Sequence, residues 1–97
     1  MPKKSYSKSQ RTCRVTFELP SVVEAPAAAL VGDFNGWSDA VPMTKRKDGR
    51  LSVTVSLEAG RAYRYRFLLD GERWENDWEA DAYVANEFGS EDSLIKV

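Results

Sequence analysis

Three tryptophans, Trp37, Trp74 and Trp78, stand outside the alternating apolar positions of the chain. Trp37 follows the Asn35-Gly36 pair, Trp74 follows Asp70-Gly71, and Trp78 lies in an acidic stretch. An indole beside a turn has two uses. It can close the open end of a β structure as a lid, or it can lie flat against the apolar C–H face of a pyranose while neighbouring polar groups bond the hydroxyls. Arg64 and Arg66, two residues apart on one strand, would project about 7 Å from each other on its outer face. There they would be either solvated or ready to donate.

Other chemistries are excluded by residue type. The chain has no histidine, so imidazole acid/base work, Ser-His-Asp and Cys-His nucleophiles and His-ligated metals are ruled out. Its single cysteine, Cys13, allows neither an internal disulfide nor a cysteine-rich zinc site. Glu75, Asp77, Glu79 and Asp81 alternate as if for a glycosidase pair or a calcium loop. A glycosidase, however, holds two carboxylates about 5 to 10 Å apart across a deep cleft, one with its pKa raised, and a sandwich of this size has little material to bury either. The Asp-x-Asp-x-Asp-Gly pattern of an EF-hand is missing. Tyr63-Arg64-Tyr65-Arg66-Phe67 interleaves rings and cations as a nucleic-acid-binding strand does, but alternation sends the rings inward. No catalytic residue, cofactor or metal is expected.

The 97 residues suffice for one domain. With 42% hydrophobic and 30% charged residues, the composition is that of a chain with a core. The net charge of -1 attracts neither nucleic acid nor an anionic membrane, and no apolar run approaches the roughly 20 residues of a membrane span. Cytoplasmic residence is the expectation. The charges are polarised: residues 1–14 carry Lys3, Lys4, Lys8, Arg11 and Arg14 without an acid, whereas residues 70–97 carry nine acids against Arg73 and Lys96. Residues 1–11 read as a flexible basic tail, leaving residues 12–97 as the domain.

Period-2 alternation dominates that domain. Cys13, Val15, Phe17 and Leu19 form one face of a first strand that Pro20 ends. Ala27 to Asp33 makes a second, and Val41 to Arg46 a short third. Leu51, Val53, Val55 and Leu57 form the clearest strand, reached through the Asp48-Gly49 turn. Tyr63, Tyr65, Phe67 and Leu69 give the core face of the next. Asp70-Gly71 then leads to a short strand with Trp74, residues 75–90 make a long acidic loop, and Ser93 to Val97 closes the domain. About seven short strands with frequent turns predict an all-β, immunoglobulin-like antiparallel β-sandwich. A 16-residue loop in so small a domain is itself suspected of function.

The motifs GDFNGW (residues 32–37), PMTK (42–45), Tyr-x-Tyr-x-Phe followed by LLDGERW (68–74), and NEFGSEDS (86–93) occur in an order and spacing that resembles carbohydrate-binding module family 48. That family includes the glycogen-binding domain of the AMP-activated protein kinase β subunit and the N-terminal early-set domains of isoamylases and branching enzymes. The resemblance spans about residues 12–97. It implies an early-set β-sandwich that binds α-1,4-glucan (glycogen, starch or maltooligosaccharide) without catalysis. It also implies a set of substrate-binding residues. Trp37 and Trp74 would stack on glucose. Arg66, where the family has lysine, would donate to hydroxyls. Phe88, before Gly89, would reach around the glucan. Asp92, where the family has asparagine, would bond a hydroxyl with Ser93 beside it. The implied partner is an α-glucan, with a glycogen- or starch-active enzyme or another protein as a second candidate. The alternative reading is a docking domain of early-set type that binds no sugar.

Overall fold

The computed structural model describes residues 2–19 and 26–97. Among them are ten strands: β1 (Lys3–Tyr6), β2 (Thr12–Glu18), β3 (Ala28–Gly32), β4 (Val41–Pro42), β5 (Thr44–Lys45), β6 (Leu51–Glu58), β7 (Ala62–Leu69), β8 (Arg73–Glu75), β9 (Ala82–Ala85) and β10 (Glu91–Lys96). One 3-10 turn, Asp33–Asn35, follows β3. The strands form two antiparallel sheets. One has the order β1-β2-β6-β5; the other runs β4-β3-β7-β10-β9, with β8 also paired to β7. The protein is thus an all-β, two-sheet sandwich.

Alternation places the core where the sequence indicates. Cys13, Val15 and Phe17 of β2 face Tyr63, Tyr65, Phe67 and Leu69 of β7 from the opposite sheet, and all are buried with Leu30, Leu57 and Ile95. Phe17 and Tyr65 meet edge-on at 4.7 Å between ring centroids, within the range aromatic pairs favour. The outer face of β7 is consequently left to Arg64, Arg66 and Leu68. Asp70 and Gly71, with φ of 53° and 71°, make the tight turn between β7 and β8 that an Asp-Gly pair supports.

Three features depart from the expected seven strands, each for a physical reason. Residues 3–6, expected in a flexible tail, form β1, which pairs with β2 from Lys3↔Thr16 to Tyr6↔Cys13. Main-chain pairing at a sheet edge needs no apolar alternation, so the sequence carried no sign of it. The edge is also tied across the sandwich, because Lys4 Nζ lies 2.7 Å from Asp81 Oδ2. Burial pushes the Asp81 carboxyl up, but the bonds from Lys4 and from Lys96 N outweigh it and hold the group below its ordinary range. Second, the expected third strand divides at buried Met43: β4 joins β3 in one sheet and β5 joins β6 in the other. Third, β9 emerges from the acidic loop and pairs with β10. The Pro20 terminus expected for the first strand lies outside the described residues. No helix among the described residues is long and apolar enough to cross a membrane.

Below the outer face lies a buried polar cluster. The Tyr65 hydroxyl donates to Asp77 Oδ2 at 2.7 Å, Asp77 N donates to Ser93 Oγ at 2.9 Å, and the Tyr83 hydroxyl donates to the Asp77 carbonyl at 2.6 Å. Burial raises the Asp77 pKa, with the Tyr65 bond opposing it. The folded state therefore holds the Asp77 proton more tightly than the unfolded chain does. The stability from that tighter hold is present below the unfolded value of about 4 and fades as pH rises through the raised folded value. Urea midpoints should accordingly show the wild-type protein losing ground to Asp77→Asn as pH rises above about 4. A difference that is flat or grows in favour of wild type would contradict this.

Candidate functional site

The β7 edge opposite β3 is shared by two strands. β10 pairs with its first half, from Tyr65↔Ser93 to Ala62↔Lys96, and β8 with its second, from Phe67↔Glu75 to Leu69↔Arg73. Leu68 is opposite Trp74 and Arg64 is opposite Leu94. Because successive strand residues face opposite ways, Trp74, Leu68, Arg66, Arg64, Leu94 and Asp92 all project from the same outer face. Val31, in register with Arg66, is on that face too, yet is only 2% exposed, so side chains lie over it.

Residues 32–37 bring Trp37 to this face, and each has a local task. Gly32 passes so close to β7 that a Cβ there would collide with the Arg64 carbonyl oxygen and lie 2.9 Å from Tyr65 Cβ. Phe34 turns towards the core and stacks 6.3 Å from Phe17. Asn35 closes the turn: its Oδ1 accepts from Gly32 N at 3.0 Å and Trp37 N at 3.3 Å, while Nδ2 donates to the Leu30 carbonyl at 3.2 Å. Trp37 has a φ of 62°, in the left-handed region that non-glycine residues rarely occupy. Its indole Nε1 donates to Asp33 Oδ1 at 2.8 Å.

The opposite wall is a second tight turn. Asn86 N donates to the Ser90 carbonyl at 2.9 Å, and Asn86 Oδ1 accepts from Phe88 N at 3.0 Å and Ser90 N at 3.1 Å. The turn lifts Phe88 clear of the sheet, 85% exposed. Asn86 Nδ2 also donates to Asp92 Oδ1 at 3.2 Å, and Asp92 Oδ2 faces the Arg64 guanidinium at 3.9 Å.

Between these walls is an open groove of about 860 Å3, lined by residues that include Trp37, Arg66, Trp74, Phe88 and Asp92. Trp37 and Trp74 are neighbours, 6.5 Å between ring centroids and tilted by 52°. Trp74 is 47% exposed. The Arg66 guanidinium carbon sits 6.0 Å from the Trp74 ring, and its buried Nε has no hydrogen-bond partner. Such an arrangement offers apolar ring faces, a guanidinium beside them and solvent access, the requirements for a flat ligand with hydroxyls around its rim. Among the described residues, no group of three or more acids or cysteines is placed to hold a metal.

The family model described as the glycogen recognition site of AMP-activated protein kinase matches residues 15–97. The chain belongs to this glycogen-recognition family. No curated protein matches it. Carbohydrate-binding modules of this kind are in general non-catalytic and take a polysaccharide as partner.

Five of the six residues singled out in the sequence thus meet in one groove of the glycogen-recognition domain. Ser93 does not. It is fully buried, with its hydroxyl donating to Asn76 Oδ1 at 2.9 Å and accepting from Asp77 N. The reason is the strand period: Asp92 faces outward, so its neighbour must face the core. Trp78, 57% exposed, lies outside the groove and bonds Glu75 Oε1 through Nε1 at 3.1 Å. Sequence reasoning gave no role to Asp33, Asn35 or Asn86. For Asn35 and Asn86 the signal was the preference of Asn for bonding the backbone of turns; Asp33, which bonds the Trp37 indole and Arg64 N of β7, carried no such signal.

Proposed function

We propose that the groove binds α-1,4-linked glucan noncovalently, with glycogen, starch and maltooligosaccharides as its ligand class. Trp37 and Trp74 stack on successive glucose units, Arg66 donates to hydroxyls, and Phe88 covers the chain from the opposite wall. Asp92 accepts with whatever capacity its bonds to Asn86 and Arg64 leave. The observation that carries this reading is the pair of indoles 6.5 Å apart and tilted by 52°. An α-1,4 chain curves, so the faces of consecutive glucose units turn relative to one another, and a tilted pair follows them. A flat β-1,4 ribbon would call for coplanar rings.

Two of the carboxylates lining the groove already have partners, Asp33 in Trp37 and Arg64 N, and Asp92 in Asn86 and Arg64. That supports binding without bond cleavage. Two stacked rings and a few hydroxyl bonds, each replacing a bond to water, correspond to a Kd on the order of micromolar to millimolar. Retardation in glycogen-containing gels and tryptophan fluorescence titration with maltoheptaose, with a β-1,4 cello-oligosaccharide as control, test the reading. Retardation and saturable quenching by the α-glucan alone are expected. Folded protein that shows neither, or that releases reducing ends from amylose, would refute it.

A further inference from the structure

We propose that Asp33 is a positioning residue: its carboxylate fixes the plane of the Trp37 indole by tying it to the main chain of β7. The proposal rests on the glucan reading for its consequence in affinity, but its geometry stands apart from any ligand. Asp33 Oδ1 accepts from Trp37 Nε1 at 2.8 Å, and Oδ2 accepts from Arg64 N at 2.8 Å. Both oxygens of one carboxylate are therefore spent on holding a ring to a strand. Charge-assisted bonds of this length are directional and about twice as strong as neutral ones.

The ring needs such a hold. Trp37 is only half-buried, and its φ of 62° is a backbone conformation in which side chains are seldom found. Its neighbour Trp74 is tilted by 52° at 6.5 Å, so the two indoles do not lock each other by parallel stacking. Asn35 secures the loop backbone through Gly32 N, Trp37 N and the Leu30 carbonyl, and makes no bond to the ring. The loop thus divides its work: Asn35 shapes the turn and Asp33 aims the indole. A ring already aimed loses less rotational freedom when a ligand stacks on it, so Asp33 acts on affinity through Trp37.

The hydrogen bond can be read in the unmodified protein. In 15N–1H spectra the Trp37 indole proton, assigned by its loss in Trp37→Phe, should exchange with solvent about tenfold or more slowly than in free tryptophan. Exchange at the free rate would overturn the proposal with no Asp33 variant needed. Asp33→Asn keeps the shape but offers an acceptor to only one of the two donors. It should shift the indole resonance and weaken maltoheptaose binding about fivefold. In a Trp37→Phe background, which has a ring but no indole N–H, the same Asp33→Asn change should cost less than about twofold. Equal losses in both backgrounds, or an unmoved indole resonance, would show that Asp33 acts some other way. Failure of the wild-type protein to bind maltoheptaose would remove the glucan reading alone, since the exchange rate and the indole resonance decide Asp33's hold on Trp37 without ligand.

Discussion

Trp37→Ala is expected to weaken maltoheptaose binding about 30-fold or more, whereas Trp78→Ala changes it by less than about twofold. The contrast follows from position. Trp37 and Trp74 line one groove, with Arg66 beside Trp74, while Trp78 is outside it and more exposed than Trp74. Truncating Trp37 removes a stacking face and takes from Trp74 the aromatic neighbour 6.5 Å away. It also strips the ring bonded to Asp33 Oδ1 from a wall of the groove. Central aromatic anchors of this kind typically carry about 2 kcal/mol or more of binding, which is the 30-fold figure. The backbone turn should survive, because Asn35 and not the ring closes it. Circular dichroism and thermal unfolding of the variant provide that control. Trp37→Phe, which keeps a planar face but loses the indole N–H, should fall between wild type and alanine. Equal losses for Trp37→Ala and Trp78→Ala would place the binding surface elsewhere on the domain.

The strands that carry the groove were legible because their core residues alternate. β2, β6 and β7 each show apolar residues at every second position, and the outward placement of Arg64 and Arg66 follows from the inward placement of Tyr63, Tyr65 and Phe67. β1 and β9 could not be read in this way. They are edge strands held largely by main-chain bonds, and β1 is exposed along its whole length. The division at Met43 was hidden because one buried side chain can serve a continuous strand or a chain crossing between sheets equally well. Ser93 is instructive in the opposite sense. The motif resemblance set it beside Asp92 at the ligand, although the period of a strand already forbids two consecutive side chains from sharing a face. The tilt of the two indoles depends on the left-handed backbone at Trp37 and on the bonds of Asp33. Neither is encoded in apolar pattern, so the sequence indicated which rings would meet but not their angle.

Tyr65→Ala should destabilise the fold by about 4 kcal/mol, the largest stability effect expected from any single position in the groove's supporting layer. The ring is fully buried between the sheets, edge-on to Phe17 at 4.7 Å and to Phe67 at 6.1 Å, and its removal leaves a cavity in a close-packed core. The hydroxyl adds a second cost. Burial first, and then the charge and hydrogen bond of Asp77, push the phenol pKa upward, so it remains a donor to Asp77 Oδ2 throughout the physiological range. Tyr65→Phe isolates this part. It keeps the ring but withdraws one donor from a buried carboxylate, which should cost about 1.5 to 3 kcal/mol. The order of the two variants matters more than either value. If packing dominates, alanine is clearly worse than phenylalanine; if the polar cluster dominates, the two approach each other. Urea unfolding at neutral pH measures both. For a domain of 97 residues, 4 kcal/mol corresponds to a fall in Tm of more than about 15 °C and consumes much of the 5 to 15 kcal/mol that such folds possess. A loss below about 1 kcal/mol for Tyr65→Ala would mean that the ring is not held between the sheets. The outward aim of Arg64 and Arg66, and with it the floor of the groove, would then lose its physical basis, because these side chains face outward only insofar as Tyr65 faces in.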